Sequence, residues 1–348
     1  MERERQYGLD ILRIASMLGI IGLHILVNGE ALWTANAALS SGFLSGMFVI
    51  CSCSVNIFAM LTGYLYAQKP VVRYGNLIRL LFITVFYSAL ISVTVHIWKP
   101  EWFTVSWRDA LFPVLVGRYW YIACYAVLFV LIPYLNSMIR GLSQRAFGIL
   151  LLLLLVLLSV ISTAMTSVDP FGVRSGYSPV WLTVCYLIGA YIRLYLKNHS
   201  NVKLWLLILA ANIAGLTVAY FYFGAAVAPL MNYNSPVMVV NAGLSLLLFS
   251  RIRWKGTGKW ILSLSASAFG VYIIHSHVLL YDSLIAGNAK WIGENGFVKC
   301  VVGFCGSVAG IYLLCWLAEV VRRLAFKWTR LDKLLERIGD WCDRIVQL

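Results

Sequence analysis

The chain alternates between long apolar stretches and short polar segments. A helix needs about 20 mostly apolar residues to cross a bilayer, and ten stretches approach that length. They lie at approximately 11–32, 43–66, 80–98, 112–136, 147–165, 179–196, 204–223, 236–250, 261–285 and 298–321. This pattern predicts an all-α protein, a polytopic membrane helix bundle of about ten transmembrane helices.

The composition excludes a soluble globular chain. Of the 348 residues, 61% are hydrophobic and 12% are charged, whereas soluble domains carry about a quarter charged residues. Seven of the eight cysteines lie in apolar stretches, where a free thiol behaves as a small hydrophobic side chain and not as part of a disulfide framework. Cys51 and Cys53 have no neighbouring His or Cys cluster, so no metal site is predicted.

The net charge of +14 is unevenly distributed along the chain. If the N-terminus is cytoplasmic, 21 of the 28 Lys and Arg residues fall in cytoplasmic segments and six fall outside, while Arg13 lies within the first stretch. Basic residues mark the cytoplasmic side of membrane proteins. We therefore expect both termini in the cytoplasm, membrane lipids as partners and no nucleic-acid partner.

The C-terminal segment has a different pattern, so we divide the chain into a transmembrane domain, 1–325, and a cytoplasmic amphipathic helical tail, 326–348. Two interpretations of this tail remain open. It lies on the inner leaflet, or it packs on cytoplasmic loops. Its apolar residues follow helical spacing with cations between them: Leu331, Leu334, Leu335, Ile338, Trp341, Ile345 and Leu348.

Ionisable residues within the first stretch are candidates for function, because placing such a group in a membrane costs free energy unless it is paired or hydrated. Arg13 and His24 are eleven residues apart. This spacing places them on one helix face, about 16 Å apart along the axis. Asp10 stands one turn before Arg13 and is expected to hold its guanidinium. The structural alternative is that Arg13 binds a lipid phosphate and His24 bonds to a neighbouring helix.

A second group occurs in the ninth stretch. Tyr272 and His275 are three residues apart and share a helix face. His275 lies at a depth similar to that of His24, which predicts that the two imidazoles face a common polar cavity. His277 is interpreted as structural and His96 as interfacial.

Four segments, in order, resemble the motifs of acyltransferase family 3, the integral-membrane O-acetyltransferases of bacterial glycans, and in particular its short, single-module members. Arg73 and Arg79 lie in the basic loop where members of that family carry arginines. The four segments are LDILRIASMLGIIGLH (9–24), SVNIFAMLTGYLY (54–66), RYWYIACYAVLFVLIPYLN (118–136) and SASAFGVYIIHSHVLL (265–280).

The resemblance implies acetyl-CoA as co-substrate, a hydroxyl of a cell-surface glycan or lipid-linked sugar as acceptor, and location in the bacterial cytoplasmic membrane. Arg13 and His24 would be the catalytic pair. Histidine titrates in the range suited to a general base, with an acetyl-histidine intermediate as the variant. Arg13, Arg73 and Arg79 would bind the CoA phosphates, and Arg79, next to the third stretch, is the favoured loop arginine.

Aromatic and imidazole groups complete the predicted site. Tyr272 or His275 would donate to the developing oxyanion or orient the acceptor. Trp120 and Tyr121 would stack on a sugar or line an acyl channel, with an aromatic belt at the membrane interface as the structural alternative.

The alternative function is a transmembrane transporter for a polar solute, because a polar cavity among ten helices would serve that role as well. Inverted repeats are typical of transporters, and none is visible. Acceptor identity, acyl-chain length and oligomeric state are left open, with a homodimer among the alternatives.

Overall fold

A computed structural model describes residues 6–69, 71–165, 167–196, 201–253 and 258–346. Every regular element in these ranges is helical. The α-helices are α1 (Tyr7–Leu23), α2 (Ala38–Ser52), α3 (Ser54–Tyr66), α4 (Gly75–Trp98), α5 (Trp107–Leu111), α6 (Trp120–Gly141), α7 (Gln144–Leu155), α8 (Ser162–Ala164), α9 (Pro179–Tyr191), α10 (Val202–Phe223), α11 (Pro236–Phe249), α12 (Lys259–His275), α13 (Val278–Leu284), α14 (Lys290–Glu294), α15 (Phe297–Trp328) and α16 (Leu331–Val346).

Shorter helical turns extend or connect these helices. Three π-helical turns continue α1, α7 and α9, at His24–Asn28, Val156–Ile161 and Ile192–Leu196. Three 3₁₀ segments stand between helices, at Pro100–Trp102, Arg174–Gly176 and Gly224–Met231.

The prediction of a polytopic membrane bundle is confirmed, although the spans are not uniform. Each of the ten apolar stretches contains a helix, and eight helical segments of the described chain are long and apolar enough to cross a membrane. The ninth stretch forms two helices, α12 and α13, which meet at an angle of 74°. The eighth forms α11, whose 14 residues are short for a span. The orientation of the termini stays a prediction, and four of the counted cations, Arg3, Arg5, Lys197 and Lys255, lie outside the described residues.

The centre of the bundle is the crossing of α3 and α9. Small residues let the two backbones touch: Gly63 stands against the backbone of Tyr186, and Gly189 stands against the backbone of Met60. Helices in membranes associate by this close packing, because lipid provides little hydrophobic drive between them. The α3–α9 pair therefore anchors the other helices.

Replacing Gly63 with alanine is expected to lower the melting temperature in detergent by several degrees. The added Cβ would meet the Tyr186 carbonyl, and overpacking of this kind costs about 1–3 kcal/mol. The matched control is Gly215→Ala in α10, where a Cβ meets nothing within 4 Å. Equal melting temperatures for the two variants would contradict the close crossing.

Helices α1 and α12 run parallel and in register. Near their N-terminal ends the guanidinium of Arg13 donates to Ser265 Oγ at 2.8 Å. Three turns further along, the rings of His24 and His275 are 5.2 Å apart between centroids. The first and ninth apolar stretches therefore lie side by side along these two helices.

Helix α15 continues beyond its predicted end at residue 321 and reaches Trp328, so the division at residue 325 falls inside it. Arg322, one of the 21 cations that the charge pattern assigns to cytoplasmic segments, is buried within the bundle. It donates two hydrogen bonds to the buried carboxylate of Glu319, at 2.9 and 2.7 Å. Tyr87 of α4 donates to the same carboxylate at 2.8 Å, so a hydrogen bond ties this ion pair within α15 to α4.

The tail forms helix α16, which packs along the start of α4. Asp332 accepts a hydrogen bond from Arg79 at 2.6 Å, and Asp343 accepts one from the backbone N–H of Gly75 at 3.2 Å. The opposite face of α16 leaves an apolar row exposed: Leu334, Ile338, Trp341 and Ile345. One face of α16 therefore packs on the protein, as in the second interpretation, and its other face has the apolar character that the first requires.

Candidate active site

A cavity of about 590 Å³ opens at the end of the bundle where α1 terminates, away from α16. Residues from six regions line it: the end of α1, α2, the start of α6 with the residues just before it, Tyr177, the segment 228–233 and the α12–α13 bend. His24, Trp120 and Tyr272, predicted as site residues, lie in its wall.

His24 lines the cavity, and His275 is buried directly behind it, each next to a break in its helix. His24 is the first residue of the π-helical turn that ends α1, and single π turns inside α-helices often occur at functional sites. His275 is the last residue of α12, directly before the 74° bend. His277 starts the next helix, where its Nδ1 accepts the N–H of Leu279 at 3.3 Å. This capping contact agrees with the structural interpretation of His277.

The His24 ring stands between two aromatic side chains. Its centroid is 5.2 Å from that of His275 and 5.1 Å from that of Tyr281, which it meets edge-on. The Nδ1 atom of His24 is buried and has no hydrogen-bond partner among the described residues. The two imidazoles therefore meet, as their matching depths predict, but among the described residues only His24 of the pair lines the cavity.

The hydrogen bonding of His275 is defined by its own helix. Nδ1 lies 2.7 Å from the carbonyl oxygen of Val271. Because a carbonyl only accepts, Nδ1 carries the hydrogen, and a neutral ring then has no other N–H to offer. Nε2 lies 3.4 Å from Ser276 Oγ, at the cavity wall.

A second, narrow pocket of about 20 Å³ adjoins His24 and shares Trp120 and Tyr272 with the open cavity. Tyr121 belongs to this pocket alone. The remaining wall is mostly apolar and includes Met17, Ile20, Val55, Phe58 and Phe269. Met17 and Ile20 lie on α1 between Arg13 and His24, so His24 separates an open polar cavity from an apolar pocket that points toward Arg13.

Arg13 and Asp10 form a buried polar group with Ser265. Arg13 Nη1 lies 3.2 Å from Asp10 Oδ1, the pairing that the i,i+3 spacing predicts. Ser265 Oγ donates to the same carboxylate oxygen at 2.8 Å. The guanidinium side chain remains 25% exposed, which leaves part of it accessible.

The loop arginines lie in a different place. Arg79 pairs with Asp332 at 2.6 Å, and Arg73 lines a cleft of about 490 Å³ against α16. Arg337 and Arg344 of α16 line the same cleft, together with Asp340 and Asp343. The structure thus separates the predicted site into an inner group around His24, a second group around Arg13, and a cleft around Arg73.

The mouth of the open cavity carries opposite charges. Arg118 donates to Asp109 at 2.6 Å, and this pairing holds the pKa of the Asp109 carboxyl below its ordinary value. Asp282 is exposed at the same mouth. No group of three or more His, Cys, Asp or Glu side chains within the described ranges is arranged to hold a metal ion.

Sequence reasoning missed Tyr177, Tyr233 and Tyr281, all of which line the cavity. Tyr281 offered one signal, since it lies four residues after His277 within the ninth stretch. Tyr177 and Tyr233 stand between helices, where neither helical periodicity nor span counting singles out a residue.

The helix bundle and the histidine-lined cavity define a multi-pass membrane protein with a site between its spans. The sequence profile of the acyltransferase domain family matches residues 6–317, nearly the whole chain. The chain therefore belongs to acyltransferase family 3 and is a membrane acyltransferase. Comparison with curated proteins and with solved structures gives no match.

Proposed function

We propose that this acyltransferase moves an acetyl group from cytosolic acetyl-CoA to a hydroxyl of a cell-surface glycan or lipid-linked sugar, with His24 as general base. The observation that carries the proposal is the position of His24 between the open polar cavity and the narrow apolar pocket. An acceptor hydroxyl suits the open cavity. The apolar pocket has room for about one water molecule, so it would have to widen to admit the acetyl thioester on its pantetheine arm.

The transfer is a general-base-catalysed attack of the acceptor hydroxyl on the thioester. The acceptor oxygen forms a bond to the thioester carbonyl carbon while a ring nitrogen of His24 takes the hydroxyl proton. The carbon–sulfur bond then breaks, and the CoA sulfur leaves with the proton that His24 returns. General-base assistance of this kind contributes about 10²–10⁴-fold to rate. The products are CoA and the O-acetylated acceptor.

Tyr272 is the better candidate for stabilising the oxyanion. The one N–H of a neutral His275 already donates to the Val271 carbonyl, whereas the Tyr272 phenol lies in the walls of both cavity and pocket. A hydrogen-bond donor aimed at the developing negative charge lowers the barrier. His275 then acts by packing against His24 and keeping its ring in place.

The donor phosphates would bind at arginines on the face that carries α16. Guanidinium groups contact phosphate in a bidentate manner. Arg13 lies on the His24 helix and is part exposed, while Arg73 opens into the α16 cleft. Arg79 would have to leave Asp332 before it could take part.

Purified protein in detergent is expected to melt several degrees higher with CoA. A ligand at about 100 times its Kd stabilises by about 2.7 kcal/mol. Arg13→Ala should lose most of this shift, and the matched control Arg140→Ala, which removes an exposed arginine at the end of α6, should keep it. A solute carrier without CoA recognition would show no shift in any of the three proteins.

The transfer itself is tested with radiolabelled acetyl-CoA, the protein in liposomes, and glycans extracted from the envelope of the producing cells. Label bound covalently to glycan and released by mild alkali, as an ester is, supports the proposal. Failure to label any glycan, together with uptake of a free sugar into the liposomes, would contradict it and favour the transporter.

A further inference from the structure

Three aromatic side chains form one wall of the open cavity, which we call the aromatic wall: Trp120, Tyr177 and Tyr233. The Trp120 and Tyr233 rings are nearly parallel, with an interplanar angle of 13° and centroids 6.1 Å apart. Tyr177 lies 4.5 Å from Trp120 and 4.9 Å from Tyr233. Trp120 and Tyr233 also border the pocket next to His24, so the aromatic wall reaches the reacting group.

The surroundings hold this wall in place without a ligand. Asn56, which is fully buried, donates to the Tyr233 carbonyl at 2.7 Å and accepts from Trp181 Nε1 at 3.0 Å. Gly176 has φ +98° and stands against Tyr233 Cβ, where a side chain would collide. Tyr177, one residue on, is 46% exposed. The aromatic wall is thus preformed, and the ring of Tyr177 is its accessible part.

The rest of the cavity lining mixes apolar and polar side chains, and few of them are charged. Arg118 and Asp282 alone among the described lining residues carry a formal charge when His24 is neutral. Arg118 is already paired with Asp109, so the mouth as a whole is slightly acidic. The neutral hydrogen-bonding groups are Asn28, Ser52, Asn232, Tyr272, Ser276 and Tyr281.

We infer that the acceptor unit bound in this cavity is an uncharged saccharide, held with its apolar C–H face on the aromatic wall and one hydroxyl toward His24. This inference rests on the proposed function. A flat apolar ring face packs on aromatic side chains, while amide and phenol groups satisfy the sugar hydroxyls. An anionic sugar would face Asp282 and Asp109 with no unpaired cation in the described lining.

Tyr177 is accordingly a residue that determines acceptor affinity. Its ring is the exposed part of the wall, and it makes no contact with the His24 ring that would tie it to the chemical step. Tyr177→Ala should raise KM for the acceptor about tenfold and leave KM for acetyl-CoA unchanged, whereas Tyr177→Phe should keep most of the affinity.

The probe is the glycan of the producing cells, released from the envelope and separated by anion exchange into a neutral pool and an acidic pool. With radiolabelled acetyl-CoA and the wild-type protein in liposomes, the neutral pool should take up at least about ten times more label than the acidic pool. The control variant is Tyr222→Ala, which removes an exposed aromatic residue of α10 outside the cavity.

The outcomes separate the two proposals. Label mainly in the acidic pool would overturn the uncharged acceptor but leave the transferase standing. An acceptor KM that is unchanged in Tyr177→Ala, with CoA stabilisation retained as proof of folding, would overturn the role of the aromatic wall. Label in neither pool would contradict the proposed function itself.

Discussion

Replacing His24 with alanine is expected to reduce acetyl transfer by about 10²–10⁴-fold, the range that a general base contributes. The ring stands between the open cavity and the apolar pocket, and among the described residues it is the one basic side chain that lines both. The fold should survive, because the buried Nδ1 has no hydrogen-bond partner to lose among the described residues. The variant should therefore be a folded protein that binds the donor and does not transfer.

The measurement is the initial rate of label transfer to glycan at saturating acetyl-CoA, with CoA-induced thermal stabilisation as the test of folding. His96→Ala is the matched control: it removes an imidazole that packs on Phe103 and Trp107, away from the cavity. Transfer by a stable His24→Ala protein at the wild-type rate would exclude a general-base role for this residue.

Replacing Glu319 with glutamine is expected to destabilise the protein by about 3–5 kcal/mol, the cost of leaving a buried charge without its partner. Glu319 accepts hydrogen bonds from Arg322, Arg323 and Tyr87 at 2.7–3.2 Å, and both Glu319 and Arg322 are buried. An amide neutralises neither guanidinium. The expected result is a large loss of monodisperse protein on extraction and a melting temperature about ten degrees lower.

An exposed ion pair provides the control for Glu319. Glu30 and Lys290 are 3.2 Å apart with side chains 44% and 48% exposed, and pairs of this kind contribute about 0–1 kcal/mol. Glu30→Gln should therefore melt within a degree or so of the wild type. If Glu319→Gln behaves in the same way, the buried pair does not stabilise the packing of α15 in the bundle. Glu319→Gln combined with Arg322→Met should recover part of the loss, since it removes the stranded cation.

The features that a single helix determines could be predicted from the sequence. Spacing alone gives the Asp10–Arg13 pair, because residues three apart share a helix face, and the apolar stretches give the ten helices. The meeting of His24 and His275 needed one more assumption, that their helices run in the same direction with both residues at one depth. Successive spans alternate in direction, so the first and the ninth run the same way.

Features that depend on contacts between distant segments could not be predicted. Nothing local in the sequence shows that α15 continues to Trp328 and buries Arg322 against Glu319. Arg79 was assigned to CoA phosphates, and its pairing with Asp332 depends on where α16 packs. The aromatic wall depends on the packing of residues from α6 and two connecting segments, and no periodicity marks it.

The pairing of α1 with α12 also makes their two ends thermodynamically dependent on each other. Ser265 contacts Arg13, and His275, on the same α12, contacts His24. A ligand that drew Arg13 away from Ser265 and moved α12 would therefore also move His275. If such a ligand changes the affinity of the cavity by some factor, occupancy of the cavity must change the affinity for that ligand by the same factor. The two ends of α12 would then report on each other's occupancy.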